Sequence, residues 1–226
     1  MGNVALANLH YAKPVANAPV FDDWNAIPHA TSDTDLRTLV QLVNLQSEGT
    51  VYGQYQSWWD ITLRMDRELM DFAINKTYFA LQPTIADIND PGSLVIISIQ
   101  PITPGVLNGM QKNGGNALGL NVSKGPYFIL NMSASFNIKA NEPRYAEFFA
   151  EVIKRVKAEA QRRGLDNDYI YINYASPYQD PLASYGAANK QRLTNITRKY
   201  DPVQVFQHLA PGYFKLVEGA PFPTLP

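Results

Sequence analysis

The sequence of 226 residues contains no cysteine. Disulfides, thiolate nucleophiles, iron–sulfur clusters and Cys-ligated zinc are therefore excluded together. Histidine is also scarce, because only His10, His29 and His208 occur, and no His-Glu-x-x-His motif brings two of them to metal-ligand spacing. The chain has no Gly-x-Ser-x-Gly motif of the kind that presents a serine nucleophile. We expect no metal site, and metalloprotease and serine-hydrolase chemistry are both disfavoured.

Charge is low and nearly balanced: 19 Lys and Arg stand against 20 Asp and Glu, for a net charge of -1. Such a chain lacks the excess of positive charge with which proteins bind nucleic acid phosphates. No stretch approaches the roughly 18 consecutive apolar residues of a membrane span, and the first residues do not follow the pattern of a signal peptide. We therefore expect a cytoplasmic protein that binds neither nucleic acid nor membrane.

Aromatic residues are abundant, and most of them are tyrosines: 13 Tyr accompany 10 Phe and 3 Trp. A purely apolar core has no need of phenol hydroxyls, which require hydrogen-bond partners when they are buried. The excess of tyrosine therefore indicates polar partners within the fold or a bound ligand.

Apolar residues at helical spacing predict four helices, over about 32–49, 66–81, 141–164 and 186–199. The third has Pro143 in its first turn and Gly164 at its end, which is a typical arrangement of helix start and stop residues. The fourth ends before Asp201 and Pro202. We expect residues from about 186 to 226 to form a C-terminal helix and an extended tail.

Alternating patterns predict strands over 50–63 and 127–137, and shorter apolar runs predict strands over 94–100 and 169–174. Residues 4–11 are a further candidate strand. Strands with one apolar and one polar face suit an antiparallel sheet that is covered on one side. The predicted fold class is therefore α+β, an antiparallel β-sheet with helices packed on one face, as one unit over 1–226.

The strand pattern places polar and aromatic side chains together on the face opposite the helices, which we call the polar face. We predict that it binds substrate through Tyr52, Gln54, Trp58, Ser98, Gln100, Tyr127, Asn131, Ser133 and Tyr169. Tyr171 and Asn173 are the candidate catalytic residues, because a phenol and an amide two positions apart on a strand can polarise one carbonyl or enolate oxygen. Asp60 is the one carboxylate at a position of this face. The alternative is that this face is simply the solvated side of the sheet.

Several motifs in the last third of the chain are detailed in order and spacing. They are Tyr171-Ile172-Asn173-Tyr174-Ala175, Tyr178-Gln179-Asp180-Pro181, Tyr185-Gly186, Asn189, Arg192-Leu193, Lys199-Tyr200-Asp201-Pro202 and Phe206. Upstream, the corresponding segments are Leu9-His10-Tyr11-Ala12-Lys13-Pro14, Pro19-Val20-Phe21 and Gly114-Gly115-Asn116-Ala117-Leu118-Gly119-Leu120. Together these motifs resemble the substrate domain and closing segment of fungal FAD-linked oxidoreductases of the berberine-bridge-enzyme-like type.

The resemblance implies an antiparallel sheet backed by helices, whose bare face closes over the flavin ring. It also implies that Tyr171 and Asn173, which match the family's Tyr-x-Asn motif, help to deprotonate or orient the substrate. The family's larger flavin domain has no counterpart in this sequence, so we expect that this chain alone binds no FAD and no other cofactor. Surfaces that face the flavin domain in the family would then be covered by self-association, and we expect a homodimer.

Two functional hypotheses follow from this resemblance. The first is a truncated, flavin-independent enzyme of natural-product biosynthesis that catalyses a redox-neutral cyclisation, a cycloaddition of the Diels–Alder type or an isomerisation. Its substrate would be a small polyketide, terpenoid or alkaloid-like molecule. The second is a substrate-domain subunit, or a binding protein, that completes a separate FAD-binding chain. An inactive fragment of a broken gene is a third interpretation that the residues leave open.

Overall fold

The computed structural model describes residues 4–48, 52–210, 212, 214–222 and 224–225. Contacts divide the chain into two units, residues 1–52 and 53–226. This division reflects only which residues contact one another. The expectation that residues 1–226 form a single functional unit stays a prediction. Within the described residues, no helix combines the length and the apolar character that a membrane crossing requires.

The first unit contains short helical segments and no strand among its described residues. They are a 3-10 turn, Pro19–Phe21, and the helices α1, Asp22–Asn25, and α2, Leu39–Glu48. The prediction of a strand at 4–11 is wrong, because these residues have no regular structure. The helix predicted from residue 32 begins later, and Thr38 Oγ1 accepts a hydrogen bond from the Gln41 N–H at 3.3 Å at its start.

The second unit is built around three antiparallel strands, β1 (Tyr55–Arg64), β2 (Leu94–Ile102) and β3 (Tyr127–Phe136). The order is β1-β3-β2, so β3 is central. Register places Asp60 opposite Asn131, and Asn131 opposite Ser98. Three of the predicted strands are thus confirmed. The first begins at Tyr55 rather than at residue 50, and positions 50 and 51 lie outside the described residues.

The helices predicted over 66–81, 141–164 and 186–199 are also confirmed. The helices of this unit are α3 (Arg67–Asp71), α4 (Phe79–Leu81), α5 (Pro104–Met110), α6 (Glu142–Arg163), α7 (Pro181–Ser184), α8 (Ala187–Tyr200) and α9 (Val205–His208). A π-helical segment, Phe72–Tyr78, joins α3 to α4. Short 3-10 turns lie at Gln82–Ile85, Lys112–Gly114, Val122–Lys124 and Lys139–Asn141.

The long helix α6 covers one face of the sheet. Pro143 lies in its first turn, and Gly164 ends it in the left-handed conformation at φ 68°, where a glycine avoids the steric cost of a Cβ. Val152, Val156 and Ala160 are completely buried on its inner side. They pack in one core with residues of β1 and β3, namely Trp59, Ile61, Leu63, Phe128, Leu130 and Met132. Burial of each large apolar side chain stabilises the fold by about 2 kcal/mol.

The other face of the sheet is covered only in part. A second core closes one end of it with Ile102, Leu107, Leu120, Tyr127, Ile129, Tyr169, Leu182 and Tyr185. The α+β class and the antiparallel sheet are confirmed, whereas the likeness to the substrate domain of the berberine-bridge-enzyme-like type stays a prediction. The expected homodimer also stays a prediction.

Candidate functional site

Residues 169–180 form an irregular loop over the polar face, which we call the 169–180 loop. The prediction of a strand over 169–174 is wrong, because side chains rather than a neighbouring strand satisfy the backbone N–H groups. The Ile170 N–H donates to Ser184 Oγ at 3.0 Å, and the Tyr171 N–H donates to Asp60 Oδ2 at 2.8 Å. A turn follows, in which the Tyr174 N–H donates to the Tyr171 carbonyl at 2.8 Å.

Gln179 fastens the end of this loop to the outer edge of β1. Its Nε2 donates to the Asp60 carbonyl at 2.8 Å, while its Oε1 accepts from the Asp60 N–H at 3.4 Å. The same Oε1 accepts from the Ser176 N–H at 2.9 Å. One amide side chain thus bonds both backbone groups of Asp60, as a neighbouring strand would.

Tyr171 and Asn173 are brought together, although by a turn and not by a strand. Asn173 Nδ2 donates to Tyr171 Oη at 2.7 Å. Asn173 is exposed and Tyr171 is half-buried, so the pair lies at the open side of the polar face. Because the phenol oxygen accepts from the amide, the phenol proton is free to be directed towards a bound molecule.

An aromatic stack lies beside this pair. Trp58 of β1 stacks on Tyr174 at 5.6 Å between ring centroids and 20° between planes. Tyr174 Oη donates to Gln100 Oε1 at 3.2 Å, and Tyr171 meets Tyr174 edge-on at 4.9 Å. Gln100 and Ser98 of β2 are exposed. The arrangement is an open surface rather than an enclosed cavity, and we call it the open shelf. Its aromatic, amide and hydroxyl groups belong to Trp58, Ser98, Gln100, Tyr171, Asn173 and Tyr174.

Asp60 lies beneath the 169–180 loop and is fully buried. Burial raises its pKa from 3.8 to about 7, and the hydrogen bond from the Tyr171 N–H acts in the opposite direction. Asp60 Oδ1, Thr62 Oγ1 and Asn131 Oδ1 have no hydrogen-bond partner among the described residues. Sequence reasoning left Asp60 out of the candidate site. The sequence contained a signal that could have identified Asp60, because it is the one carboxylate at a polar-face position.

The phenols near Asp60 are less acidic than ordinary tyrosines. Burial raises the pKa values of Tyr169, Tyr174 and Tyr185, and the negative charge of Asp60 adds to the effect on each of them. These three residues are therefore neutral at physiological pH, and the chemistry available to them is hydrogen bonding.

Three of the predicted binding residues of the second unit do not lie on the open shelf, and a fourth lies outside this unit. Tyr52 belongs to the first unit and is 84% exposed, and Gln54 Nε2 bonds the Gly92 carbonyl at 3.3 Å near the start of β1. Tyr127 is completely buried and donates from Oη to the Asn121 carbonyl at 2.7 Å. Tyr169 is buried and stacks on Tyr185 at 5.8 Å. Tyr127 and Tyr169 thus pack in the second core.

The remaining predicted residues do share the polar face. Ser98 and Asn131 lie in one row across the sheet with Asp60, and Trp58 and Ser133 are paired in the next row. Asn131 and Ser133 are nearly buried at 5% and 7% exposure. The open part of the shelf is therefore formed by Trp58, Ser98, Gln100, Tyr171, Asn173 and Tyr174.

The glycine-rich loop from Gly114 to Gly119 does not have the form of a pyrophosphate-binding site, and the expectation that this chain alone binds no FAD stays a prediction. Aromatic and amide groups on the shelf fit one side of a flat ring, but a pyrophosphate needs backbone N–H groups at a glycine-rich turn or a helix N-terminus. The loop from Gly114 to Gly119 does not supply them in a strand-turn-helix context, because it runs from one 3-10 turn, Lys112–Gly114, to another, Val122–Lys124. A Cβ on Gly119 would lie 2.5 Å from the Tyr185 carbonyl oxygen, so this glycine serves close packing. The described part of the chain also contains no cluster of three or more His, Asp or Glu placed to hold a metal.

Comparisons with known proteins identify fungal relatives. The chain is 28% identical over 214 residues to the FAD-dependent monooxygenase drtC of Aspergillus calidoustus, covering 95% of this chain and 40% of that protein. It is 32% identical over 156 residues to the FAD-dependent monooxygenase prx3 of Penicillium roqueforti, covering 66% of this chain and 30% of that protein. It is 30% identical over 126 residues to the bifunctional solanapyrone synthase of Alternaria solani, covering 56% of this chain and 24% of that protein.

These similarities relate the chain to fungal FAD-linked oxidoreductases. The chain spans at most about two fifths of the length of these three relatives. No family model and no solved structure matches it. The expected relation to fungal FAD-linked oxidoreductases is thus supported. The names of these relatives do not specify the berberine-bridge-enzyme-like type, which stays a prediction.

Proposed function

We propose that the open shelf binds the substrate of an FAD-dependent oxidoreductase of fungal natural-product biosynthesis, and that this chain supplies the substrate side of that site. The berberine-bridge-enzyme-like type implied by the motifs is part of this proposal. The observation that carries it is the Asn173–Tyr171 hydrogen bond of 2.7 Å beside the Trp58–Tyr174 stack. The pair provides a directed proton donor, and the stack provides an apolar surface.

The chemistry of the shelf favours a flat, conjugated substrate that carries a carbonyl or phenol oxygen. A conjugated ring would lie against the indole of Trp58 and the phenol ring of Tyr174. Its oxygen would accept the proton of Tyr171, which stabilises negative charge that develops on that oxygen during reaction. Ser98 and Gln100 are exposed and offer further hydrogen bonds that select an orientation.

The relatives' names support the oxidoreductase part of the proposal. Two of the three relatives are named FAD-dependent monooxygenases, and this chain corresponds to only part of each. Because this chain covers only 40% and 30% of the two relatives, the flavin would on this proposal be held by residues that this sequence does not include. The polar face would then form one wall of a site that a flavin-binding polypeptide completes.

A redox-neutral reaction is the second candidate function. The Asn173–Tyr171 hydrogen bond and the Trp58–Tyr174 stack also suit it. Hydrogen-bond donation by Tyr171 and orientation of a reactive polyene or enone on the shelf require no cofactor. This chain alone would then catalyse the cyclisation, cycloaddition or isomerisation that the sequence leads us to expect, without FAD.

Binding of chalcone, a planar conjugated ketone, to the purified full chain tests the shared part of both candidates. Binding is followed through the quenching of tryptophan fluorescence. We expect Tyr171→Phe and Asn173→Ala to weaken binding, and Tyr55→Phe, a change on the opposite face of β1, to leave it unchanged. Equal affinity of Tyr171→Phe and the unaltered chain would contradict the proposal.

The two candidates are separated by cofactor requirement. Oxidation of a conjugated substrate only after addition of FAD and a flavin-binding polypeptide supports the first. Conversion to an isomer of the same mass by the colourless chain alone supports the second. Mass spectrometry of the product decides between them, since oxidation changes the mass and isomerisation does not.

A further inference from the structure

We propose that Asp60 is the positioning residue of this site, holding the 169–180 loop on the sheet and thereby the hydrogen-bonded pair of Tyr171 and Asn173. This inference rests on the proposed function of the shelf. Asp60 does not face the open side, so its action passes through Tyr171.

Asp60 contacts the loop at two separate points. Its Oδ2 accepts from the Tyr171 N–H at 2.8 Å, beside the pair. Its backbone carbonyl accepts from Gln179 Nε2 at 2.8 Å, and Gln179 Oε1 also bonds the Ser176 N–H at 2.9 Å. A single strand residue thus fixes both the tyrosine that would meet the substrate and the end of the segment that carries it.

The position of Asp60 is costly for stability, which distinguishes it from an ordinary core residue. Its Oδ1 is buried without a partner among the described residues, and so is Oδ1 of Asn131, its direct neighbour on β3. An unpaired buried acceptor destabilises the folded state. An apolar residue of similar volume would avoid this cost, but it would leave the Tyr171 N–H without its acceptor.

The groups that face Asp60 are neutral. From the loop and the residues next to it they are the phenols of Tyr169, Tyr174 and Tyr185 and the backbone N–H of Tyr171, and from β3 it is the amide of Asn131. Burial is the larger influence on the pKa of the Asp60 carboxyl and raises it, whereas the hydrogen bond from the Tyr171 N–H lowers it. The carboxyl is therefore held by hydrogen bonding to the loop rather than by an ion pair.

Hydrogen–deuterium exchange of the full chain, without ligand, tests the positioning role directly. We expect Asp60→Leu to raise the rate of deuterium exchange in peptides that cover 169–180 by about ten-fold, because the Tyr171 N–H loses its acceptor. Asp60→Asn keeps an acceptor oxygen for the Tyr171 N–H, so it should restore most of the protection. Thr62→Val is the matched control, because Thr62 is equally buried on β1 and its hydroxyl bonds no described residue of the loop.

Chalcone binding to the same variants supplies the second measurement. We expect the affinity to fall about ten-fold in Asp60→Leu and to recover in Asp60→Asn, in parallel with protection of the loop. Asp60→Ala, which removes the same carboxyl with a smaller side chain, replaces Asp60→Leu if that variant does not fold. Unchanged exchange of 169–180 in Asp60→Leu, or in Asp60→Ala where that variant stands in for it, overturns the inference.

Failure of the inference and failure of the proposed function are distinguishable. If the unaltered chain does not bind chalcone but Asp60→Leu loosens the loop, the proposed function fails while the attachment of the loop by Asp60 holds. If the unaltered chain binds chalcone and Asp60→Leu changes neither loop exchange nor affinity, the positioning role is overturned and the proposed function stands.

Discussion

Asn173 donates from Nδ2 to Tyr171 Oη at 2.7 Å, while the backbone N–H of Tyr171 donates to the buried Asp60 at 2.8 Å. The phenol is thus held from both ends, by an exposed amide at its oxygen and by a carboxyl of β1 at its backbone. A tyrosine held in this way keeps one orientation at the edge of the shelf. Such preorganisation is what a proton donor to a reacting oxygen requires.

Removal of the Tyr171 hydroxyl should impair reaction more than folding. We expect Tyr171→Phe to lower turnover of the substrate by ten-fold or more, in line with the loss of a proton or oxyanion donor. Because the ring remains and the residue is only half-buried, the thermal midpoint should change little. Steady-state kinetics and a melting curve measure the two effects, and unchanged turnover would remove Tyr171 from the mechanism.

The stability of the second unit should fall as pH rises from about 4 towards neutrality. The pKa of Asp60 is about 7 in the folded chain against 3.8 as its ordinary value, so the folded state binds the proton more tightly. The resulting stabilisation is fully present below pH about 4 and is lost as pH rises towards about 7, with an upper limit of about 4 kcal/mol.

Urea unfolding at pH about 5, 6, 7 and 8 measures this dependence. Asp60→Asn has no ionisable group at this position and should flatten the profile over that range. The pKa of Glu159 is held at about 2 by Arg162 and Arg163, so its effect on stability appears at more acid pH and does not obscure the result. An unfolding free energy that rises between pH 5 and 8 in the unaltered chain but not in Asp60→Asn would contradict the prediction.

The Trp58–Tyr174 stack should contribute to binding of conjugated molecules. We expect Trp58→Ala to weaken chalcone binding by about ten-fold and to destabilise the second unit by about 1 kcal/mol or more, because loss of the aromatic pair adds to loss of apolar burial. Isothermal titration calorimetry measures the affinity for chalcone without relying on tryptophan fluorescence. Tyr55→Ala is the control, because it removes the stack of Tyr55 on Phe136 on the opposite face of the sheet, and it should leave the affinity unchanged. Equal affinities in both variants would argue against the stack as a binding surface.

Gly119 should tolerate no side chain. Its φ is 78°, and a Cβ would lie 2.5 Å from the Tyr185 carbonyl oxygen. We therefore expect Gly119→Ala to destabilise the second unit by about 2 kcal/mol or more, since backbone strain and overpacking add. Gly114→Ala is the control, because Gly114 also has a positive φ but a Cβ at that position would meet no described atom within 4 Å. Denaturant midpoints of the two variants should differ clearly, and equal midpoints would show that the close approach to Tyr185 has no effect.

Much of the fold could be predicted from local pattern. Alternation of apolar and polar residues in β1 and β3 identified both strands and their two faces, since successive side chains of a strand point in opposite directions. Pro143 and Gly164 marked the limits of α6 to within a residue or two, because both act through their own backbone geometry. These signals are local, so they can be interpreted without knowledge of the tertiary contacts.

The arrangement of the site depended on contacts between distant residues. Residues 169–174 have the apolar and aromatic pattern of a strand, yet their N–H groups bond Asn167, Ser184 and Asp60 instead of a neighbouring strand. The alternation in sequence therefore could not show that Tyr127 and Tyr169 would enter a core while Trp58 and Tyr174 would line the shelf.

By itself, then, the sequence determined the strands of the sheet, the helix that covers it and the residue types of the polar face. Only the tertiary structure decided that Asp60 would be buried with a raised pKa and that Tyr171 and Asn173 would meet across a turn. The physical reason is that periodicity records which side of an element avoids water. A hydrogen bond between a strand and a loop far along the chain depends instead on where folding places both partners.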